Sequence, residues 1–110
     1  MIAETSSTGR SKVLALLGLA ERAGAVERGV DATRRALREG RARLVLTADD
    51  ASAAQLRKIT GLLEHRPVPQ GQVGGQQALG AALGAGPVSA VAVTSGEFAG
   101  PMLDYLGGGR

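Results

Sequence analysis

The sequence predicts an α/β fold in which helices cover both faces of a sheet, one three-layer domain. Three observations carry the prediction. Helix-period segments alternate along the chain with short strand-length apolar runs, and the connections between them are short. Two of those runs, Leu44-Val45-Leu46 and Ala90–Val93, are apolar without interruption, the pattern of strands covered on both sides. Capping pairs and glycine stops fall where the period changes. Strands joined through a helix and lying parallel would make right-handed crossovers. The chain shows no internal repeat and no linker composition.

In chain order, Met1–Thr8 has no periodicity, and the polar tail 1–10 is expected to be disordered. The folded domain is then 11–106, with 107–110 a flexible end. Ser11 is placed to cap a first helix running through Val13, Leu14, Leu17 and Ala20 to a stop at Gly24. Ala25–Glu27 fits an edge strand but is too short to assign alone. A second helix follows Gly29, with Val30, Thr33, Ala36, Leu37 and Gly40 on one arc and Asp31, Arg34, Arg35, Arg38 and Glu39 on the other. The first arc would pack on the sheet, and the second would turn three guanidiniums to solvent. Gly40 suits the C-terminal stop, and Leu44–Leu46 is the buried strand beyond it.

Ser52 and Gln55 form a capping-box pair opening a third helix with Leu56, Ile59 and Leu63 as its buried stripe. Pro67–Pro69 reads as a short extended strand. The loop Gln70–Gly75 leads into a fourth helix with Ala78, Leu79, Ala82 and Leu83 on one side, broken at Gly84–Pro87. After the strand Ala90–Val93, Thr94 and Glu97 form a second capping-box pair for a last helix reaching Leu106.

Composition excludes several chemistries. With 110 residues the chain can bury most of its apolar surface without staples. It has no cysteine, so disulfides, thiolate metal sites and cysteine nucleophiles are excluded, and a reducing cytoplasmic location is expected. The Met1–Arg10 tail lacks the apolar stretch of a signal peptide, and no apolar run reaches bilayer length. Net charge is +3 with a pI near 10.2. Between Arg28 and Arg43 six arginines face only Asp31 and Glu39. Such a face is either a solvated helix surface or a phosphate-binding one.

Candidate catalytic groups have plainer readings. His65 is the only histidine, at a helix end where a cation or hydrogen-bonding group is favoured. Asp49 and Asp50 precede the third helix and read as caps for its free amides. No phosphate-binding GxxxxGK[ST] loop occurs. Gly71-Gln72-Val73-Gly74 matches the GxxG backbone clamp of KH domains but lacks the two flanking helices, so it reads as a turn. No enzymatic activity, metal or cofactor is expected. Phe98 and Tyr105 are the only aromatic residues, with Phe98 expected in the core, so recognition of single strands by base stacking is excluded. An RNA partner would have to be a structured one, met by arginines, a helix N-terminus and backbone amides.

The ordered set KVLALLGLAERAGAVERG, the block Gly29–Ser52, Gln77-Ala78-Leu79-Gly80 and AVAVTSGEFA resembles the kink-turn-binding ribosomal proteins. These are archaeal large-subunit protein seven-Ae and its thirty-e relatives, and above all their small bacterial homologues of the YlxQ type. The resemblance spans Ser11–Leu106 and implies an α-β-α sandwich around a four-stranded mixed sheet, with non-enzymatic RNA binding. In that family a glycine opens the second helix, and Asn, Glu and Lys positions after it enter the widened major groove beside sheared G·A pairs. Those positions fall here on Gly29, Asp31, Ala32 and Arg35, the last keeping the family's charge. The family's loop against a flipped-out nucleotide corresponds to Ala85, Gly86, Pro87 and Val88, and its fourth-helix lysine to Gln76.

The implied binding set is Arg28, Gly29, Val30, Asp31, Ala32, Arg34, Arg35, Arg38, Gly86, Pro87 and Val88. The implied partner is structured RNA, kink-turn-like or ribosomal, with possible ribosome or ribosome-assembly association, bound by a monomer. The other open reading is a protein-interaction module on the same fold, its arginine face solvated or meeting an acidic partner.

Overall fold

The computed structural model describes residues 7–107, so most of the expected N-terminal disorder (residues 1–6) and residues 108–110 lie outside the described residues. The elements run α1 (Ser7–Arg22), β1 (Val26–Arg28), α2 (Val30–Arg38), β2 (Leu44–Thr47), α3 (Ala53–Leu63), β3 (Gln70–Gly71), α4 (Gln76–Ala82), β4 (Ala90–Val93) and α5 (Gly96–Tyr105). The sheet order is β1-β4-β2-β3. β4 pairs antiparallel with both β1 and β2, and β2 pairs parallel with β3, so the sheet is mixed.

The two-sided burial of the central strands divides the core. Leu44 and Leu46 of β2 and Val91 and Val93 of β4 point into one layer, where Val13 and Leu17 of α1, Leu79 of α4 and Met102 of α5 meet them. Val45, Ala90 and Ala92 point the other way, toward Ala36 and Leu37 of α2 and Ile59 and Leu63 of α3. Every residue of β2 and β4 is buried. The alanines of β4 leave room for α2 to lie close to the sheet. This is the three-layer α/β/α arrangement, with α1, α4 and α5 on one face and α2 and α3 on the other.

Local signals set most boundaries. Gly40 takes φ 72°, and the Arg41 amide donates to the Ala36 carbonyl at 2.9 Å, closing α2. Gly24 closes α1 in the same way. Ser52 and Gln55 form the full capping box of α3. Phe98 packs against the first core layer, as expected.

Four boundaries differ from expectation. α1 starts at Ser7, not at a cap on Ser11, so residues 7–10 are helical. The extension includes the buried Gly9, although a glycine in a helix costs on the order of 1 kcal/mol. The strand expected at Pro67–Pro69 is Gln70–Gly71, because proline lacks the N–H a ladder needs. Only the Pro69 carbonyl joins in, accepting from Val45 N–H at 2.9 Å. Helix α5 is capped by Ser95, whose hydroxyl accepts from Glu97 N–H, and not by Thr94. Asp50 caps the fourth helix rather than the third: its Oδ1 accepts from Gln76 N–H at 2.9 Å.

Candidate nucleic-acid interface

Where β1 ends, the chain turns through Gly29 at φ 100°, ψ 160°, a conformation open to glycine and costly for any other residue. The Gly29 amide donates to the Ala90 carbonyl at 2.8 Å, which ties the turn to the head of β4. Glycine supplies no side-chain cap, and α2 has none. The amides of Val30, Asp31 and Ala32 meet no acceptor among the described residues. Unfilled amides and the positive end of a helix dipole favour an anion at this point. Asp31 makes no side-chain hydrogen bond among the described residues, so its carboxylate stands exposed at the helix start instead of capping it.

This helix start forms one wall of an open depression of about 590 Å³. Arg28, Gly29, Val30, Asp31, Ala32 and Arg35 line it from the β1–α2 side, and Pro87, Val88 and Ser89 from the approach to β4. Gln55 and Lys58 of α3 complete it. Three cations, Arg28, Arg35 and Lys58, thus face one carboxylate, Asp31. Arg28 is held by a hydrogen bond from Nη1 to the Leu83 carbonyl at 3.2 Å, across from the end of α4. Beside the groove, the Ser89 hydroxyl lies 3.0 Å from Gln55 Oε1 and 3.2 Å from Gln76 Oε1. Gln76 is in turn fixed by Asp50, so one polar network joins α3, α4 and the approach to β4.

The groove therefore gathers the expected binding set except Arg34, Arg38 and Gly86. Gly86 is exposed one residue outside it. Arg34 is not exposed as Arg35 is: it is half-buried, and its Nε is enclosed with no hydrogen-bond partner among the described residues. Its place on the helical circle lies closer to Leu37 than the two-arc division implied. Arg38 lines a different depression at the other end of α2. Gln55, Lys58 and Ser89 are additions. The sequence shows Gln55 as a cap and Lys58 as a polar-face residue three positions on, but only the packing of α3 beside α2 turns both toward the groove.

Arg41 leaves the pool of binding arginines. Its guanidinium meets Glu39 at 2.7 Å and Glu27 at 3.0 Å, and the hydrogen bond to Glu39 first, then that to Glu27, pushes its pKa further up. The other motifs take structural roles. His65 is exposed just beyond α3. Gly71 lies in β3, Val73 is buried, and the Gly74 carbonyl accepts from Asp49 N–H at 3.0 Å, so the GxxG sequence is a packed turn. Among the described residues no group of three or more histidine or carboxylate side chains is placed to hold a metal, and no helix is long and apolar enough to cross a membrane.

Fold and groove together define an α/β/α module with an open basic cleft at the start of its second helix. Residues 11–100 match the Ribosomal protein L7Ae/L30e/S12e/Gadd45 family, and the chain belongs to that family. It is 37% identical over 91 residues to RNA-binding protein YlxQ of Bacillus subtilis (strain 168), covering 83% of this chain and 91% of that one. Among solved structures it resembles a protein of unknown function from Bacillus halodurans, with a TM-score of 0.82, 28% identity and coverage of 87% of this chain and 97% of the other. The Giardia lamblia 15.5kD RNA binding protein has the same fold, with a TM-score of 0.77 at 21% identity, covering 96% of this chain and 91% of the other. The family's description names ribosomal proteins and the Bacillus subtilis relative is named an RNA-binding protein, in agreement with the non-enzymatic reading.

Proposed function

We propose that this chain binds structured RNA, with the groove at the start of α2 as its contact surface. The observation that carries this reading is the meeting of Arg28, Arg35 and Lys58 with the uncapped amides of Val30–Ala32 in one open depression. Phosphate oxygens suit both partners, guanidinium or ammonium and helix N-terminus. The relative from Bacillus subtilis named as an RNA-binding protein supports the same conclusion. Neither Phe98 nor Tyr105 lines the groove, so the target is met by shape, charge and base edges and not by stacking.

Within that reading, a kinked RNA with sheared G·A pairs is the preferred target class, and a ribosomal or ribosome-assembly RNA its natural source. The widened major groove of such a kink admits the α2 start, with Arg35 on a phosphate or a guanine edge. Asp31, the one carboxylate lining the groove, opposes the phosphates there and weakens the fit. Crosslinking in cells followed by sequencing of the bound RNA identifies the target. In vitro, three cations neutralising three phosphates give a slope of log affinity against log salt of about −2 to −3. Recovery of no specific RNA, with a protein partner in its place, would overturn the proposal in favour of a protein-interaction module.

A further inference from the structure

At the opposite end of α2 lies a second open depression, of about 380 Å³. Arg38 comes to it from the last turn of α2, Arg43 from the approach to β2, and Arg66 from the chain just past α3. All three are exposed. Glu39 is the one acidic residue lining it, and its carboxylate is already engaged by Arg41 at 2.7 Å. Helix C-termini attract cations for structural reasons alone, and Arg43 does give one N–H to the Gly40 carbonyl at 3.2 Å. Arg38 and Arg66, however, make no side-chain hydrogen bond or ion pair among the described residues. Three guanidiniums thus stand together with most of their donors free.

The floor offers no central socket for an apolar anchor. Leu37 and Ala42 are 1% and 6% exposed, and the accessible apolar surface is confined to the exposed Pro67 and the half-buried Val68 at one edge, beside Arg66. The position argues for a polyanion shared with the first groove. Arg35 lines the first depression and Arg38 the second, and both sit one turn apart on the exposed side of α2. From Asp31 to Arg38 the helix rises only about 10 Å, well within one RNA stem.

We infer that Arg38, Arg43 and Arg66 form a second phosphate-binding site, which holds the stem flanking the RNA element seated at the start of α2. The inference rests on the RNA-binding reading of the first groove. One RNA therefore runs along α2 from its N-terminus to its C-terminus, and affinity depends on stem length as well as on the element recognised.

The test uses the full chain and a synthetic kinked RNA with tandem G·A pairs, carried on either a short or a long flanking stem. The wild type should bind the long-stem RNA more tightly and with the steeper salt dependence. The double variant Arg43→Gln/Arg66→Gln should bind the short-stem RNA as the wild type does, which also serves as its folding control. On the long-stem RNA its salt slope should be shallower by about 1.4 to 1.8, the contribution of two phosphates. Equal slopes for wild type and variant on the long stem would overturn the inference while leaving the first groove intact. So would binding of an acidic protein segment that the double variant loses, with long-stem RNA binding unchanged. Absence of binding to either RNA would remove the first reading and this one together.

Discussion

The backbone carbonyl of Gly86 fills the space that a side chain on Gly80 would need. Gly80 is buried in α4, and its own carbonyl accepts from Ala85 N–H at 2.8 Å. Glycine thus lets the helix and the loop after it lie backbone to backbone, which sets the course of the chain toward Pro87, Val88 and the groove.

Gly80→Ala should therefore destabilise the protein by about 1–3 kcal/mol, the cost of overpacking against atoms that cannot rotate away. Gly61 makes the contrast. It lies exposed inside α3, and an added methyl group meets nothing within 4 Å. Gly61→Ala should stabilise by about 0.4–1 kcal/mol, because alanine has less freedom to lose on folding. Denaturant unfolding of both variants checks the pair, and a Gly80→Ala protein as stable as the wild type would contradict the packing described for α4.

The second prediction concerns the link between Asp50 and α4. Removal of a capping carboxylate costs about 0.5–2 kcal/mol, so Asp50→Ala should lose stability in that range. Asp50→Asn, which keeps an acceptor oxygen, should lose less. Asp49 makes no side-chain hydrogen bond among the described residues, and Asp49→Ala should fall near zero. Equal effects at Asp49 and Asp50 would show that the Gln76 contact contributes nothing.

The third prediction turns on the exposed carboxylate in the groove. Asp31→Asn should cost about 0.3–1 kcal/mol of stability through the helix dipole. It should tighten binding to a kinked RNA with tandem G·A pairs. A unit charge a few ångströms from a phosphate is worth about 1 kcal/mol in water, roughly fivefold in affinity. Weaker binding would instead identify Asp31 as an acceptor from a base amino group.

What the sequence revealed depends on how far each determinant reaches along the chain. Leu44–Leu46 and Ala90–Val93 were legible because a strand covered on both faces is apolar at every position. The Ser52–Gln55 box was legible because its two hydrogen bonds span three residues. Asp50 was assigned to the wrong helix because its partner Gln76 is 26 residues away, a pairing that only tertiary structure creates. Pro67–Pro69 has the extended backbone of a strand but not the N–H donors, so β3 lies one step on at Gln70–Gly71. In the candidate site, the β1–α2 turn and the loop before β4 could be identified from the chain. Lys58 could not, since its role exists only where α3 lies beside α2. Arg34 was counted with the solvent-facing arginines because a helical wheel divided into two arcs ignores the flank, where a long side chain is half covered.

The most direct test of the central claim compares Arg35→Glu with Arg57→Glu on one structured RNA at one salt concentration. Both are exposed arginines on neighbouring helices, but Arg35 lines the groove and Arg57 lines neither depression. Loss of a charge-assisted contact costs about 1.5–3 kcal/mol. Arg35→Glu should therefore weaken binding by roughly tenfold or more, while Arg57→Glu, felt only through screened long-range attraction, should change it by less than about threefold. Equal losses at the two positions would mean that the protein attracts RNA by net charge alone and that the start of α2 is not its binding site.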